Sequence, residues 1–373
     1  MYSVLGCGSN GNYQLGISNN IDQYNLKPSI FNIDGELTTS LSIKPKIISC
    51  GGNHTIILLE SGELYMSGGN DKHQLSNDDD DMQHYDIFTK MNSDFKFKNV
   101  VTGWEFSILQ TQTNELYSCG FGPNGELGQG KDTNQCNDLR KIEFQFDDDE
   151  GEEEIQNMYS SIHNTIIQLK NGELYGFGNN KKGQLVNLTN HDPSLKILYE
   201  PTKLSINFEC DKIIDFTLCR DFIIYKVEVG GLIKFVFKGK DNFQIQENLK
   251  KLEVIENQGK LYSMWSSVHL HSTSNEIKSI GNNSHGQLIP NHTNLKISAV
   301  SIGSEHGLIK VDNGKVLAWG WGEHGNCGEL KNNSVTFKEF NTIYNNNNDN
   351  NIEIIDIIAG VATSWVIIKK MSP

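Results

Sequence analysis

The segment "WGWGEHGNCGEL" at 319–330 crowds two Trp, two Glu, a His and a Cys among four Gly. Such side chains bind metals, move protons or attack as nucleophiles. Zinc takes four Cys or His ligands at short paired spacing. His324 and Cys327 make one half-site, but no second pair matches it. His269 and His271, two residues apart, share a face of any strand they occupy, yet no carboxylate or third His follows nearby. We expect no metal. Cys327 lacks an identifiable base and orienting residue, and no G-x-S-x-G elbow occurs. The glycines are not phosphate cradles, which need a strand-to-helix context. The expectation is a protein without catalytic residues or cofactor.

The segment is instead one copy of a repeat. "GSNGNYQLG" (8–16) recurs as "GGNDKHQL" (68–75), "GFGPNGELG" (120–128), "GNNKKGQL" (178–185), "GNNSHGQL" (281–288) and "GWGEHGNCG" (320–328). A degenerate copy, "FKGKDNFQIQ" (237–246), keeps little beyond a Gly and a polar turn. A second, β-rich element recurs at 47–65, 100–117, 157–175, 213–231, 261–278, 299–319 and 354–370. Short strands in units of roughly 40 to 60 residues predict a β-propeller. The last copy lacks its following turn, while "YSVLGCGSN" opens the chain without preceding strands. Tyr2–Gly6 should therefore join the strands after Ile354 and close a single all-β, seven-bladed ring spanning 1–373, with no free sheet edge.

Composition narrows the partners. The formal charge is −14, and of 32 basic residues only Arg140 and Arg220 are Arg. Phosphate contacts dominate nucleic-acid affinity, so direct nucleic-acid binding is not expected. Seven scattered Cys without a CxxC pair read as reduced thiols. With no signal-peptide pattern and no run of 18 apolar residues, the chain reads as soluble, cytoplasmic or nuclear. The tracts at 77–81, 147–154 and 345–351 are acidic or Asn-rich and read as solvated loops.

The "G-x-x-H" and "G-x-N-x-x-G-Q-L-G" elements resemble the regulator of chromosome condensation repeat, whose family members are seven-bladed propellers. Within that family "MWSSVHL" (264–270), "GSEHG" (303–307), "WGWGEHGNCG" (319–328) and "ATSWVII" (362–368) resemble a branch of small single-propeller yeast proteins, the alpha-tubulin-suppressor or killer-toxin-insensitivity type. That resemblance implies a non-catalytic scaffold paired with a small CSL-type zinc protein. The partner donates electrons to diphthamide synthesis on elongation factor 2 and supports Elongator-dependent modification of tRNA wobble uridine. The wider family implies an alternative, guanine-nucleotide exchange on a Ran-type GTPase. A ubiquitin-ligase adaptor role is disfavoured, because no recruiting domain is present.

The candidate contacts follow from the repeat. Aligning the β-rich element puts His54, His163, His269 and His306 in one column with Phe106, Phe222 and Thr363. His54 and His163 read as structural; His269 and His306, with unusual neighbours, stand as contacts or as core. Trp319 and Trp365 fall in strands and should be buried. Trp104, Trp265 and Trp321 stand in turns, where they either seal the space between blades or face a partner, Trp being a usual interface anchor. The expected partner surface is Trp265, His269, Glu305, His306, Trp321, Glu323 and His324, with Trp104 as a weaker member.

Overall fold

The computed structural model describes residues 1–76, 82–143, 154–188, 193–204, 209–252, 259–312, 314–330, 333–346, 349 and 351–371. The acidic tract at 77–81, nearly all of that at 147–154 and part of the Asn-rich one lie outside them. Among the described residues seven sheets follow one another along the chain, antiparallel throughout except where Phe31–Ile33 pairs in parallel with His84–Lys90. Blade 1 is built on the strands Pro45–Cys50, His54–Leu59, Leu64–Gly69 and His84–Lys90. Blade 2 runs from Phe97 to Lys141, blade 3 from Ile155 to Lys203, blade 4 from Lys212 to Gly239, blade 5 from Lys260 to Gly281 and blade 6 from Ile297 to Asn345. Blade 7 combines Ile352–Ala359 and Thr363–Lys370 with Tyr2–Gly8 and Gln23–Pro28.

Closure of the ring is an unbroken ladder. Tyr2–Gly8 pairs with Thr363–Lys370 from Tyr2↔Lys369 to Gly8↔Thr363. The closing strand thus extends two residues beyond the expected Gly6, and Gln23–Pro28 pairs outside it.

Each second strand is packed on both faces, so its sequence is a nearly continuous apolar run instead of an alternation. "HTIILL" at 54–59 and "FSILQT" at 106–111 are buried at every position. Separate apolar wedges fill the space between blades: Val4, Leu15, Phe88 and Trp365 between blades 7 and 1, and Met264, Ile309 and Trp319 between blades 5 and 6. Trp319 and Trp365 have no exposed surface, as their strand positions predict.

The Gly-Asn-Gln-Leu turn has a physical explanation. Its Asn side-chain Oδ1 accepts the backbone N–H of the residue five positions on, at Asn10–Leu15 (2.9 Å), Asn70–Leu75 (2.9 Å) and Asn180–Leu185 (2.8 Å). The captured Leu is buried between blades. The turn's leading Gly has φ between 106° and 118° at Gly8, Gly68, Gly120, Gly178, Gly239, Gly281 and Gly320. A Cβ there would lie within 2.6 Å of a backbone oxygen of the turn linking the blade's first two strands. Only Gly occupies such a site without strain.

Gly239 shows that the degenerate repeat keeps the same device. Asp241 replaces the Asn, accepting the N–H groups of Ile245 and Gln246 at 2.9 Å each. Ile245 takes the Leu role with no exposure. The short helix Ile245–Asn248 and the 3-10 turn Leu249–Lys251 after it then lay Ile245, Leu249 and Leu252 against Phe222 and Phe237.

Candidate functional site

Strand alternation puts the turn between first and second strands and the turn after the third strand at the same end of the ring. Their relative placement is fixed by one backbone bond per blade. Trp321 N–H donates to Glu305 O (2.9 Å), Phe121 to Glu105 (2.8 Å) and Asn179 to His163 (2.9 Å), with equivalents at Ser9, Gly69, Lys240 and Asn282. These bonds define the true register of the repeat. Gly52, Trp104, Ile162, Arg220, Trp265, Ser304 and Val361 share one position. Two residues later stand His54, Phe106, Asn164, Phe222, Ser267, His306 and Thr363, each opening its blade's second strand.

This register corrects the histidine column. His163 precedes the strand by one residue and is exposed, its Nδ1 lying 3.1 Å from Glu126 Oε1 of the neighbouring blade. His269 sits two residues beyond the column. It is fully buried, with ring nitrogens bonded to Ser267 Oγ (3.0 Å) and Ser279 Oγ (2.8 Å). His306 does occupy the column and is 1% exposed, with Nε2 2.9 Å from Ser364 Oγ. His54 repeats that bond to Ser107 Oγ at 3.0 Å. Each Ser donates onward to a turn carbonyl, Ser107 to Gln74 O (2.6 Å) and Ser364 to Asn326 O (2.7 Å). The column histidines therefore stitch one blade to the next. Burial pushes the imidazole down to about 3 at His54 and His269 and to about 4 at His306, so all three are neutral. His269 and His306 reach no surface and drop out of the contact set.

The remaining six candidates converge. Trp104, Trp265, Glu305, Trp321, Glu323 and His324 line one cavity of about 310 Å³ at the mouth of the central channel, with Gly52, Ser304 and Val361. Successive turns ring this mouth by backbone bonds: Gly52 N–H to Trp104 O, Trp104 N–H to Ile162 O (both 3.0 Å), Trp265 N–H to Ser304 O (2.7 Å) and Ser304 N–H to Gly360 O (3.1 Å). Trp104 from blade 2 and Trp265 from blade 5 hold the same repeat position, and their rings meet 6.2 Å apart at 54°. A Cβ on Gly52 would lie 2.9 Å from the Trp104 ring, so the missing side chain makes room for the indole. Trp104 is 38% exposed, and Trp265 and Trp321 are half-buried. These three do not seal the space between blades.

Trp321 stacks on His285, with ring centroids 4.5 Å apart and 18° between planes. Glu305 turns its Oε2 toward Ser266 Oγ (2.7 Å) and Gln287 Nε2 (3.0 Å), both donating. Burial raises the Glu305 carboxyl above its ordinary range, against those two bonds and the attraction of Arg220 and His285. His324 Nδ1 lies 2.8 Å from Asp22 Oδ2, tying blade 6 to the chain's N-terminal loop. Cys327 points elsewhere and is sealed, its thiol pushed well above the ordinary value by burial. "HGNC" is thus split between surface and core. Among the described residues, His, Cys, Asp and Glu gather in no group of three able to hold a metal.

Ser266, Gln287, His285 and Asp22 complete the site and were not singled out by sequence. Gln287 was hidden by belonging to the repeat: its Oε1 accepts His285 N–H (2.8 Å), as Gln14 and Gln74 accept theirs, while its Nε2 is turned to Glu305.

Comparison with known proteins agrees with this architecture. Models of the regulator of chromosome condensation (RCC1) repeat match residues 3–58, 46–74 and 297–326. An RCC1 repeat-containing protein of Schizosaccharomyces pombe is 28% identical over 98% of this chain and 99% of its own. The mouse secretion-regulating guanine nucleotide exchange factor is 22% identical over 76% of this chain and 68% of its own. Among solved structures, human WBSCR16 superposes with a TM-score of 0.75 at 14% identity, covering all of both chains. Prp20p of Saccharomyces cerevisiae gives 0.75 at 15% identity, covering all of this chain and 92% of its own. Repeat matches, strand order and ring closure lead to one description: the chain folds as a seven-bladed β-propeller and carries segments that match the RCC1 repeat.

Proposed function

We propose that this propeller is a binding scaffold that performs no chemistry itself and docks a protein partner on the channel mouth. The observation that carries the proposal is the convergence of Trp104, Trp265 and Trp321 around one open cavity. Large aromatic anchors left half-exposed in a concave pocket are the usual centre of a protein interface. In the finer reading, which rests on the resemblance of 264–270, 303–307 and 319–328 to the single-propeller yeast branch, the partner is a small CSL-type zinc protein. The propeller would cover or position that protein's zinc site and so regulate its electron donation to diphthamide synthesis and to Elongator-dependent tRNA modification. Cytoplasm and nucleus are the compartments this role requires. Titration calorimetry of the full chain with the zinc-loaded CSL-type protein tests the proposal. One-to-one binding that survives high salt supports it, and absence of binding removes that partner.

A second reading is nucleotide exchange on a Ran-type GTPase. It is favoured by the likeness to the mouse exchange factor and by the fold shared with Prp20p, whose structure was described with its binding to Gsp1p and histones. A nucleotide-release assay with such a GTPase separates the two.

A further inference from the structure

We propose that the channel mouth is a cage for one lysine side chain, carried by the docked protein and held between Trp104, Trp265 and Trp321 with its ammonium on Glu305. This rests on the docking proposed above and specifies the chemistry of that site. Three indoles are among the side chains lining the cavity, and indole faces attract cations through the ring quadrupole. No Lys or Arg is among the described residues lining the cavity, whereas two carboxylates, Glu305 and Glu323, are. The acidic surplus of the whole chain, −14, favours the same ligand sign.

Glu305 decides the kind of cation. Its Oε2 is taken by Ser266 and Gln287, no hydrogen bond from the described residues reaches Oε1, and Glu305 itself lines the cavity. One open carboxylate oxygen fits the point charge of an ammonium; a guanidinium fork is matched by both oxygens of a carboxylate. The raised Glu305 carboxyl points the same way, since a carboxylate short of solvation is relieved by an incoming cation. The volume, about 310 Å³, is ample for one extended side chain and far too small for a folded element.

The test uses the full chain and the peptide acetyl-Gly-Lys-Gly-amide, followed by tryptophan fluorescence and calorimetry, with norleucine and arginine counterparts. The expected result is saturable binding of the lysine peptide, about tenfold weaker binding of the norleucine peptide, and loss of that difference in Glu305→Gln. Glu305→Gln is nearly isosteric and keeps an acceptor for Ser266, so folding is preserved. Equal binding of lysine and norleucine peptides, an unchanged Glu305→Gln, or no saturable binding overturns the cage. Tighter binding of the arginine peptide overturns the choice of ammonium. The arms also separate this proposal from the docking it rests on. If the zinc-loaded CSL-type protein binds wild type and Glu305→Gln equally, docking stands and the cage falls. If the lysine peptide binds through Glu305 and the zinc protein does not bind, the cage stands and that partner falls.

Discussion

Two positions of the repeat, separated by a single residue, have opposite fates. The earlier one carries Gly52, Trp104, Ile162, Arg220, Trp265, Ser304 and Val361 around the channel mouth. The later one carries His54, Phe106, Asn164, Phe222, Ser267, His306 and Thr363 at the head of each buried second strand. At the later position a ring must fit between blades or a small polar group must leave no gap, and His54 and His306 are each 1% exposed. Packing sets identity there. At the earlier position the side chain meets solvent over the channel, and Gly, Arg and Trp are all accommodated. An indole at Trp104 and Trp265 therefore does not answer to packing, which makes it the more informative of the two.

The largest expected effect falls on the packed position. His54→Ala or His306→Ala removes a ring and the partner of Ser107 or Ser364, and should cost about 2–4 kcal/mol of stability. Urea unfolding measures it, and affinity of the remaining folded protein for its partner should be unchanged. A stable His306→Ala that no longer binds would return His306 to the contact set and erase the contrast.

The mirror experiment is at the mouth. Trp265→Ala or Trp321→Ala should weaken partner binding by about 2 kcal/mol or more if these are the anchors, with stability altered by no more than about 1 kcal/mol. Calorimetry and urea midpoints on the same preparations give both numbers. A large stability loss with intact binding would make the indoles structural.

Much of this contrast was legible in the sequence. Turn chemistry recurs at a readable spacing, so blade number and ring closure followed from counting Gly and Asn. The burial of Trp319 and Trp365 followed from their strand positions and Trp104, Trp265 and Trp321 stood out as turn-borne aromatics, but that Trp104 and Trp265 hold one repeat position did not. The histidine column was misread because His-containing segments align by residue type as readily as by register. Only the bonds from Trp321, Phe121 and Asn179 back to the first turn reveal that His163 and His269 are displaced by one and two residues. Blade 4 was opaque for a related reason. Asp241 performs the Asn role by accepting the first N–H groups of a short helix, so the copy at 237–246 keeps only the Gly and a polar turn to be read.

The smallest effect uses acid. His54 titrates near 6.5 in an unfolded chain, and burial lowers it to about 3 in the folded one. Between those values the unfolded chain binds a proton that the folded one refuses, so stability falls as pH drops through that window. Each such site contributes a slope of about 1.4 kcal/mol per pH unit where only the unfolded form is protonated. His269 and His306 add to the same loss. His54→Phe, which copies Phe106 and Phe222, removes one of these protons and retains a ring in the space between blades. Its urea midpoint at pH 7.5 should lie close to wild type, while the decline measured between pH 6 and pH 5 should be shallower by one proton's worth. An identical decline in both proteins would mean that His54 is already charged in the folded state. That would make the bond to Ser107 an ion's hydrogen bond and the packed position a charged one.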